Sequence, residues 1–118
     1  MSLKDRSIVV VGAGIGGLTV ARALALRGAR VTVIEQTPAI TEVGAGIQIS
    51  PNGMCVLRAL GLESAARATG APVTRALVLR DSSGRGLARF SFSGLARPQD
   101  FLLFHRADLI DVLAEGAR

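Results

Sequence analysis

Three glycines near the start of the chain are the residues whose type and spacing point most directly to chemistry. Gly12, Gly14 and Gly17 form a Gly-x-Gly-x-x-Gly pattern between the apolar run 7–11 and a stretch with helical periodicity. The first glycine permits a tight turn, the second lets the backbone approach a diphosphate, and the third lets the helix pack closely on the strand. A diphosphate would then bind at the helix N-terminus, where unpaired N–H groups and the helix dipole favour negative charge.

An acidic residue completes this pattern. Glu35 follows the next apolar run, 30–34, so its carboxylate would lie at the carboxyl end of a second strand. There it can accept hydrogen bonds from both hydroxyls of an adenosine ribose, and it would repel a 2′-phosphate. The pattern predicts a right-handed β-α-β unit over 6–35 that binds FAD or NAD rather than NADP. The alternative is an ordinary glycine turn, because a chain with 14 glycines can produce this spacing by chance.

Composition limits the classes of function that remain. The chain has 118 residues, of which 49% are hydrophobic, and this is enough for one domain with a buried core. Its only aromatic residues are four phenylalanines, which argues against a base-stacking nucleic-acid surface. The net charge of +5 comes from arginines spread along the whole chain, and we expect them to form a solvated surface.

The single cysteine, Cys55, excludes an internal disulfide and a multi-cysteine metal site. A reducing, cytoplasmic compartment is therefore expected, and no metal. Cys55 falls within a predicted helix, where we expect it to be a small, inert core residue. The uncharged run 8–21 is interrupted by glycines and too short to span a bilayer, so no membrane association is expected.

The predicted fold class is α/β, a Rossmann-like β-α-β unit with parallel strands plus an antiparallel hairpin. After Glu35 the segment 42–53 is predicted to contain a glycine-interrupted extended stretch at 43–49, and a helix then begins at Pro51 and runs to Leu60. A short helix is predicted over 63–69. Alternating apolar residues predict the hairpin at about 74–93. A short strand at 101–104 and an amphipathic helix at about 106–116 complete the chain.

Three segments together resemble the FAD-dependent aromatic-ring monooxygenases of the salicylate and hydroxybenzoate hydroxylase kind. They are 11–18 with Glu35, the run Glu-Val-Gly-Ala-Gly-Ile-Gln-Ile-Ser-Pro-Asn-Gly at 42–53, and His-Arg-Ala-Asp-Leu at 105–109. The resemblance implies FAD as the cofactor, NAD(P)H as the electron donor, and an aromatic acid or phenol that is hydroxylated. It also implies that the chemistry resides in the flavin, so no catalytic side chain is expected in this chain.

By the same resemblance, residues from four parts of the chain bind the cofactor. The glycine turn lies under the diphosphate, Glu35 holds the adenosine ribose, the backbone of 46–48 runs along the flavin, and Arg106 contacts FAD near its phosphate and ribitol. The candidate cofactor residues are Gly12, Gly14, Ile15, Gly16, Gly17, Glu35, Gly46, Ile47, Gln48 and Arg106.

The chains of this family are much longer, so the resemblance implies an incomplete, amino-terminal portion of a larger fold that is inactive alone. In a doubly wound sheet the first strand is central, and a strand for its second edge is missing. We therefore expect the edge of 8–11 to be unpaired, or paired with another chain in self-association. Two other functions remain open: a stand-alone dinucleotide-binding module, and part of an NAD-dependent dehydrogenase.

Overall fold

The computed structural model describes residues 2–41 and 44–118, and within them the predicted α/β class is confirmed. None of the helices in these ranges is long and apolar enough to cross a bilayer. The elements are β1 Ser7–Val11, α1 Ile15–Ala25, β2 Arg30–Ile34, β3 Gly46–Ile49, α2 Pro51–Ala59, α3 Glu63–Ala68, β4 Ala76–Arg80, β5 Gly86–Ser91, β6 Leu102–His105 and α4 Arg106–Gly116, with a 3-10 turn at Pro98–Asp100.

The strands β1 and β2 form a parallel pair, in register from Ser7 opposite Arg30 to Val11 opposite Ile34. Both consist largely of β-branched residues, which favour extended backbone. The helix α1 connects them and packs on one face of the pair. Because the strands are parallel, their carboxyl ends meet at one edge, where the Gly12 N–H donates to the Ile34 carbonyl at 2.7 Å.

The second edge of β1 has no strand partner in 2–41 and 44–118, where this sheet contains β1 and β2 only. The face of the pair turned away from α1 is also uncovered. Val9 and Val11 are 59% and 83% exposed, and Ile34 is 52% exposed. The β-α-β unit therefore presents both a backbone edge and an apolar face to solvent.

A second pair of strands, β3 and β6, is antiparallel, and β3 contains the candidate residues Gly46, Ile47 and Gln48. Gly46 lies opposite His105 and Ile49 opposite Leu102. The sequence predicted extended backbone in both places but not this pairing. Of the extended segment predicted within 42–53, Glu42 and Val43 lie outside the described residues. The main hydrophobic core packs beside these strands and includes Leu18, Met54, Leu57, Phe104, Leu109, Ile110 and Leu113.

The predicted hairpin is formed by β4 and β5, with Leu77 opposite Phe90 and a register shift at Leu79/Arg80. Its turn is organised by Asp81, whose Oδ1 accepts hydrogen bonds from the backbone N–H groups of Ser83 and Arg85, each at 3.0 Å. The molecule measures 56 × 33 × 22 Å. Apolar hairpin side chains, Leu77 and Phe90 among them, remain exposed.

Arg22, on α1, binds the carboxyl ends of two other helices. Its Nε donates to the Leu60 carbonyl at 3.2 Å, and its Nη1 donates to the Gly116 carbonyl at 2.8 Å. A cation is favoured at these positions because the last carbonyls of a helix lack intrahelical donors and carry the negative end of the dipole. Arg22 therefore ties α1 to the ends of α2 and α4.

A network of arginines and carboxylates joins α2 and α3 to the turn before β6. Asp100 is only 1% exposed and accepts hydrogen bonds from Arg58 and Arg67. Arg58 and Arg67 also bind Glu63, with Arg58 Nε 2.6 Å from Glu63 Oε2. Burial alone would raise the pKa of Asp100, but the hydrogen bonds from both arginines outweigh it and hold that pKa below its usual range. The expectation of a solvated arginine surface is wrong for Arg22, Arg58 and Arg67, which are half-buried and bonded.

The expectation that Cys55 belongs to the core is also wrong, because its thiol is exposed. The inner face of α2 is occupied by Met54 and Leu57. A residue one position after Met54 is rotated by roughly 100° around the helix axis, which turns Cys55 toward solvent.

The Arg58–Glu63–Arg67 interactions predict an acid-dependent loss of stability. They lower the pKa of Glu63 from 4.5 to about 2, first through the Arg58 hydrogen bond and then through that of Arg67. Because the folded-state pKa is depressed, this contribution is complete above the unfolded pKa and is lost as the pH falls through the folded one. Glu63→Gln should lower the urea midpoint at about pH 6, and that midpoint should fall less than the wild-type midpoint on acidification to about pH 2.5.

The matched control is Glu115→Gln, since Glu115 is an exposed acid that binds only the terminal Arg118 among the described residues. Its midpoint should follow that of the wild type across the same range. Equal acid dependence in Glu63→Gln and the wild type would contradict the assigned role of Glu63.

Candidate functional site

The glycine turn contains two glycines that the fold requires and two that face open space. Gly12 has a φ of +98°, a conformation that residues with a side chain rarely adopt. A Cβ on Gly17 would lie 1.9 Å from the Gly12 carbonyl oxygen, so α1 and the turn are in direct contact. Around a Cβ on Gly14 or Gly16 there would be no atom within 4 Å. The space in front of α1 is therefore open to a ligand.

The N-terminus of α1 is suited to an anion. Gly14 is the N-cap, and the first helical bond runs from the Leu18 N–H to the Gly14 carbonyl at 3.0 Å. The N–H groups of 15–17 precede that bond and have no acceptor within the helix. No acidic side chain lies in the first turn to offset the positive end of the dipole. A diphosphate fits these donors and this charge.

Glu35 lies directly beside the glycine turn. Its Oε2 accepts the Ala13 N–H at 2.7 Å, and its Oε1 accepts the Thr37 N–H at 3.1 Å. These two hydrogen bonds, the Ala13 bond most strongly, hold the pKa of Glu35 below its usual value, so the group is a carboxylate at neutral pH. A carboxylate accepts about four hydrogen bonds, which leaves capacity for the two hydroxyls of a ribose.

A small cleft of about 160 Å³ opens between the glycine turn and the segment after Glu35. It is lined by Ala13, Gly14, Glu35, Thr37, Ile40, Thr41 and Ile110. The cleft thus joins two sequence-predicted residues to others that sequence reasoning missed. Ala13 acts through its backbone, which no side-chain pattern reveals. Thr37 lies two residues after Glu35, in the turn before Pro38. Its closeness to Glu35 in sequence was the one indication that it could line the cleft.

The remaining predicted residues form a second group at the start of α4. The Arg106 N–H donates to the Ala45 carbonyl at 2.9 Å, so Arg106 is held beside Gly46. Ile47 is half-buried against the core, whereas Gln48 is exposed. Gly46, Ile47, Gln48 and Arg106 are brought together, although none of them lines the cleft at Glu35.

The helix α4 connects the two groups. Ile110 lines the cleft with Gly14 and Glu35, and Arg106 precedes it by four residues. Residues four apart lie on one face of a helix, one turn from each other. The same face of α4 therefore carries the predicted flavin-proximal arginine and one wall of the ribose cleft.

A parallel β-α-β unit, an open helix N-terminus and an ionised carboxylate at the end of the second strand define a dinucleotide-binding domain. Comparison with known families makes the class specific. The chain belongs to the FAD binding domain family, whose model matches residues 5–118. FAD is thereby confirmed as the cofactor, and the open space at Gly14 and the free acceptor capacity of Glu35 fit it.

Curated relatives are similar along nearly the whole chain. The chain is 38% identical over 113 residues to 3-hydroxybenzoate 6-hydroxylase 1 of Aquipseudomonas alcaligenes, covering 93% of this chain and 29% of the relative. It is 44% identical over 110 residues to 3-amino-4-hydroxybenzoate 2-monooxygenase of Streptomyces cremeus, covering 90% and 28%. The chain thus spans less than a third of the length of these relatives.

Solved structures agree with this assignment. The tetrameric form of 2-methyl-3-hydroxypyridine-5-carboxylic acid oxygenase superposes with a TM-score of 0.83 at 29% identity, covering 96% of this chain and 29% of the other. Klebsiella pneumoniae HpxO complexed with FAD and uric acid gives a TM-score of 0.74 at 29% identity, covering 93% and 28%. The resemblance to FAD-dependent aromatic monooxygenases is confirmed.

The geometry of the glycine turn predicts opposite effects for two similar substitutions in α1. Gly17→Ala places a methyl group against the Gly12 carbonyl, so it should destabilise the fold by about 1–3 kcal/mol or more. Gly16→Ala meets open space and should be neutral or stabilising by up to about 1 kcal/mol, because alanine favours helix. Urea unfolding of both variants tests this, and equal midpoints would show that α1 does not pack on the turn as described.

Proposed function

We propose that the chain is the FAD-binding part of an NAD(P)H-dependent flavoprotein monooxygenase that hydroxylates an aromatic acid or phenol. The observation that carries the proposal is the Glu35 carboxylate, held beside the open N-terminus of α1 by the Ala13 N–H at 2.7 Å. The named activities of the relatives support the reaction class, since they are hydroxylases and monooxygenases of aromatic acids.

In this proposal the candidate residues bind and orient the cofactor. The N–H groups of 15–17 hold the diphosphate, with Gly14 and Gly16 leaving room for it, and Glu35 accepts both ribose hydroxyls. The backbone of 46–48 runs along the flavin, with Arg106 beside it. FAD, when bound, supplies the redox chemistry that connects NAD(P)H oxidation to oxygen incorporation. No side chain of this chain is proposed to be catalytic.

The position of Arg106 supports a role toward an anionic part of FAD. Arg106 is the first residue of α4, where its positive charge opposes the positive end of the helix dipole. Asp108 in the same first turn offsets part of this interaction, and an anionic part of FAD near the helix start would offset more of it. The hydrogen bond from its backbone N–H to the Ala45 carbonyl, which holds the start of α4 beside the segment proposed to follow the flavin, supports this role.

The exposed edge of β1 is the proposed surface for pairing with a further strand, in the parent chain or in another chain. The edge lacks a strand partner within the described ranges, and Val9 and Val11 beside it are exposed. Unpaired, apolar strand edges associate readily.

The longer protein is proposed to be cytoplasmic. This part of it contains one cysteine and hence no internal disulfide, as is usual in a reducing compartment.

FAD binding by the 118-residue chain tests the proposed site. Titration followed by flavin fluorescence should give saturable FAD binding, and Glu35→Gln should weaken it about tenfold or more, because the amide accepts fewer hydrogen bonds and loses the charge. FMN, which lacks the adenosine ribose, should bind more weakly and should not respond to Glu35→Gln. NAD has the same adenosine ribose but lacks the flavin that the 46–48 backbone is proposed to contact, so it should compete only weakly with FAD.

Glu115→Gln is the matched control, because it removes the same charge at the far end of α4. It should leave FAD affinity unchanged. If Glu35→Gln bound FAD as tightly as the wild type, Glu35 would not hold the ribose and the proposed site would be wrong.

The isolated chain should bind FAD without hydroxylating a substrate. It spans less than a third of its relatives, and its cofactor cleft at Glu35 is only about 160 Å³. With FAD, NADH or NADPH, and 3-hydroxybenzoate, chromatography should detect no hydroxylated product. Turnover of 3-hydroxybenzoate would contradict the expected inactivity.

Sedimentation should show that the chain self-associates, as expected from the unpaired edge of β1. A chain that stays monomeric at high concentration would contradict the expected self-association.

A further inference from the structure

A second and larger concave surface lies at the base of the β4–β5 hairpin. It has a volume of about 450 Å³, within the range typical of small-molecule sites. Its walls include Thr74, Arg75, Arg89, Ser91, Phe92 and Pro98. None of these belongs to the ten candidate cofactor residues, so the proposed binding of FAD leaves this cleft unexplained. We refer to it as the hairpin cleft.

The hairpin cleft carries uncompensated positive charge. Arg75 and Arg89 are exposed, and neither makes a side-chain hydrogen bond or ion pair with the described part of the chain. They differ in this from Arg58 and Arg67, which are saturated by carboxylates. No acidic residue of the described ranges lines the cleft. Two guanidinium groups in a concavity without a counter-ion attract anions, and their planar forks match a carboxylate.

Three hydroxyl side chains lie in or beside the wall of the cleft. The Oγ1 of Thr74 is buried and makes no hydrogen bond within the described residues. Nearby, the hydroxyls of Ser91 and Ser93 bond to each other at 2.9 Å. The Thr74 hydroxyl is shielded from the cleft, so the exposed polar groups of this wall are the two serine hydroxyls and the two guanidinium groups.

The rest of the wall is apolar and partly flat. The ring of Phe92 stacks on that of Phe101, with centroids 4.0 Å apart and planes 16° from parallel. Val73 and Pro98 add aliphatic surface. A ligand with an aromatic ring would gain from contact with these groups, in addition to its charge.

We propose that the hairpin cleft is a second ligand site of this chain, one that binds a small aromatic carboxylate. The carboxylate would interact with Arg75 and Arg89, and the ring would pack on Phe92 and Pro98. The proposal does not depend on FAD, because the cleft shares no residue with the candidate cofactor site.

Benzoate is the probe, because it combines one ring with one carboxylate. Calorimetric titration of the 118-residue chain should show saturable binding at one site, and benzamide, which is similar in shape but uncharged, should bind at least about tenfold more weakly. Arg75→Gln and Arg89→Gln should each weaken benzoate binding by about tenfold.

Arg30→Gln is the matched control, because Arg30 is an exposed arginine at the start of β2 and outside the cleft. It removes the same charge and should leave benzoate affinity unchanged. Absence of saturable benzoate binding would overturn the proposal. An equal loss of affinity in Arg30→Gln would also overturn it, because it would show only a general effect of net charge.

FAD titrations of the same variants separate this proposal from the proposed function. Arg75→Gln and Arg89→Gln should bind FAD as the wild type does, which also shows that they are folded. Benzoate binding without FAD binding would leave the hairpin cleft standing and reject the cofactor site. Loss of FAD affinity in the cleft variants would show that the two sites are not independent, against the proposal.

Discussion

The hydrogen bond from the Ala13 N–H to the Glu35 carboxylate is the interaction on which the proposed cofactor site depends. It joins the turn after β1 to the end of β2, at the edge where the two parallel strands terminate. The bond fixes the path of the turn before a ligand arrives, so less chain has to be ordered on binding. Together with the Thr37 N–H it keeps Glu35 ionised, and an ionised carboxylate is the form that accepts both ribose hydroxyls.

The glycines around this bond divide into two functions. Gly12 and Gly17 are required by the fold, one for its positive φ and the other for the direct contact of α1 with the turn. Gly14 and Gly16 meet nothing in the folded chain, and alanine at either position would be compatible with the fold alone. Their absent side chains leave space in front of the helix N-terminus, which is the place where a diphosphate is favoured. Two of the four glycines are therefore explained by the fold, and the other two are explained by the proposed binding of a diphosphate.

Much of the fold could be predicted from sequence because it depends on local patterns. Short apolar runs fixed β1 and β2 within a few residues, and periodicity located α1 and α4. The β3–β6 pairing joins segments more than fifty residues apart, and no local signal reveals it. Arginine roles were missed for a related reason, since a long side chain such as Arg22 reaches helix ends that are distant in sequence. Cys55 was misplaced because a helix of nine residues leaves its inner face poorly defined by pattern alone.

The glycines and Glu35 of the candidate site could be predicted from the sequence. The part of α4 in joining the two groups of site residues could not. Sequence reasoning used α4 only for Arg106, whereas the structure shows that its second turn, at Ile110, also forms a wall of the Glu35 cleft. The helix is fixed at its start by the bond from Arg106 to Ala45 and at its end by the bond from Arg22 to Gly116. Because an α-helix is rigid over this length, the proposed ribose and flavin ends of the cofactor are positioned by one body, and a displacement of α4 would alter both together.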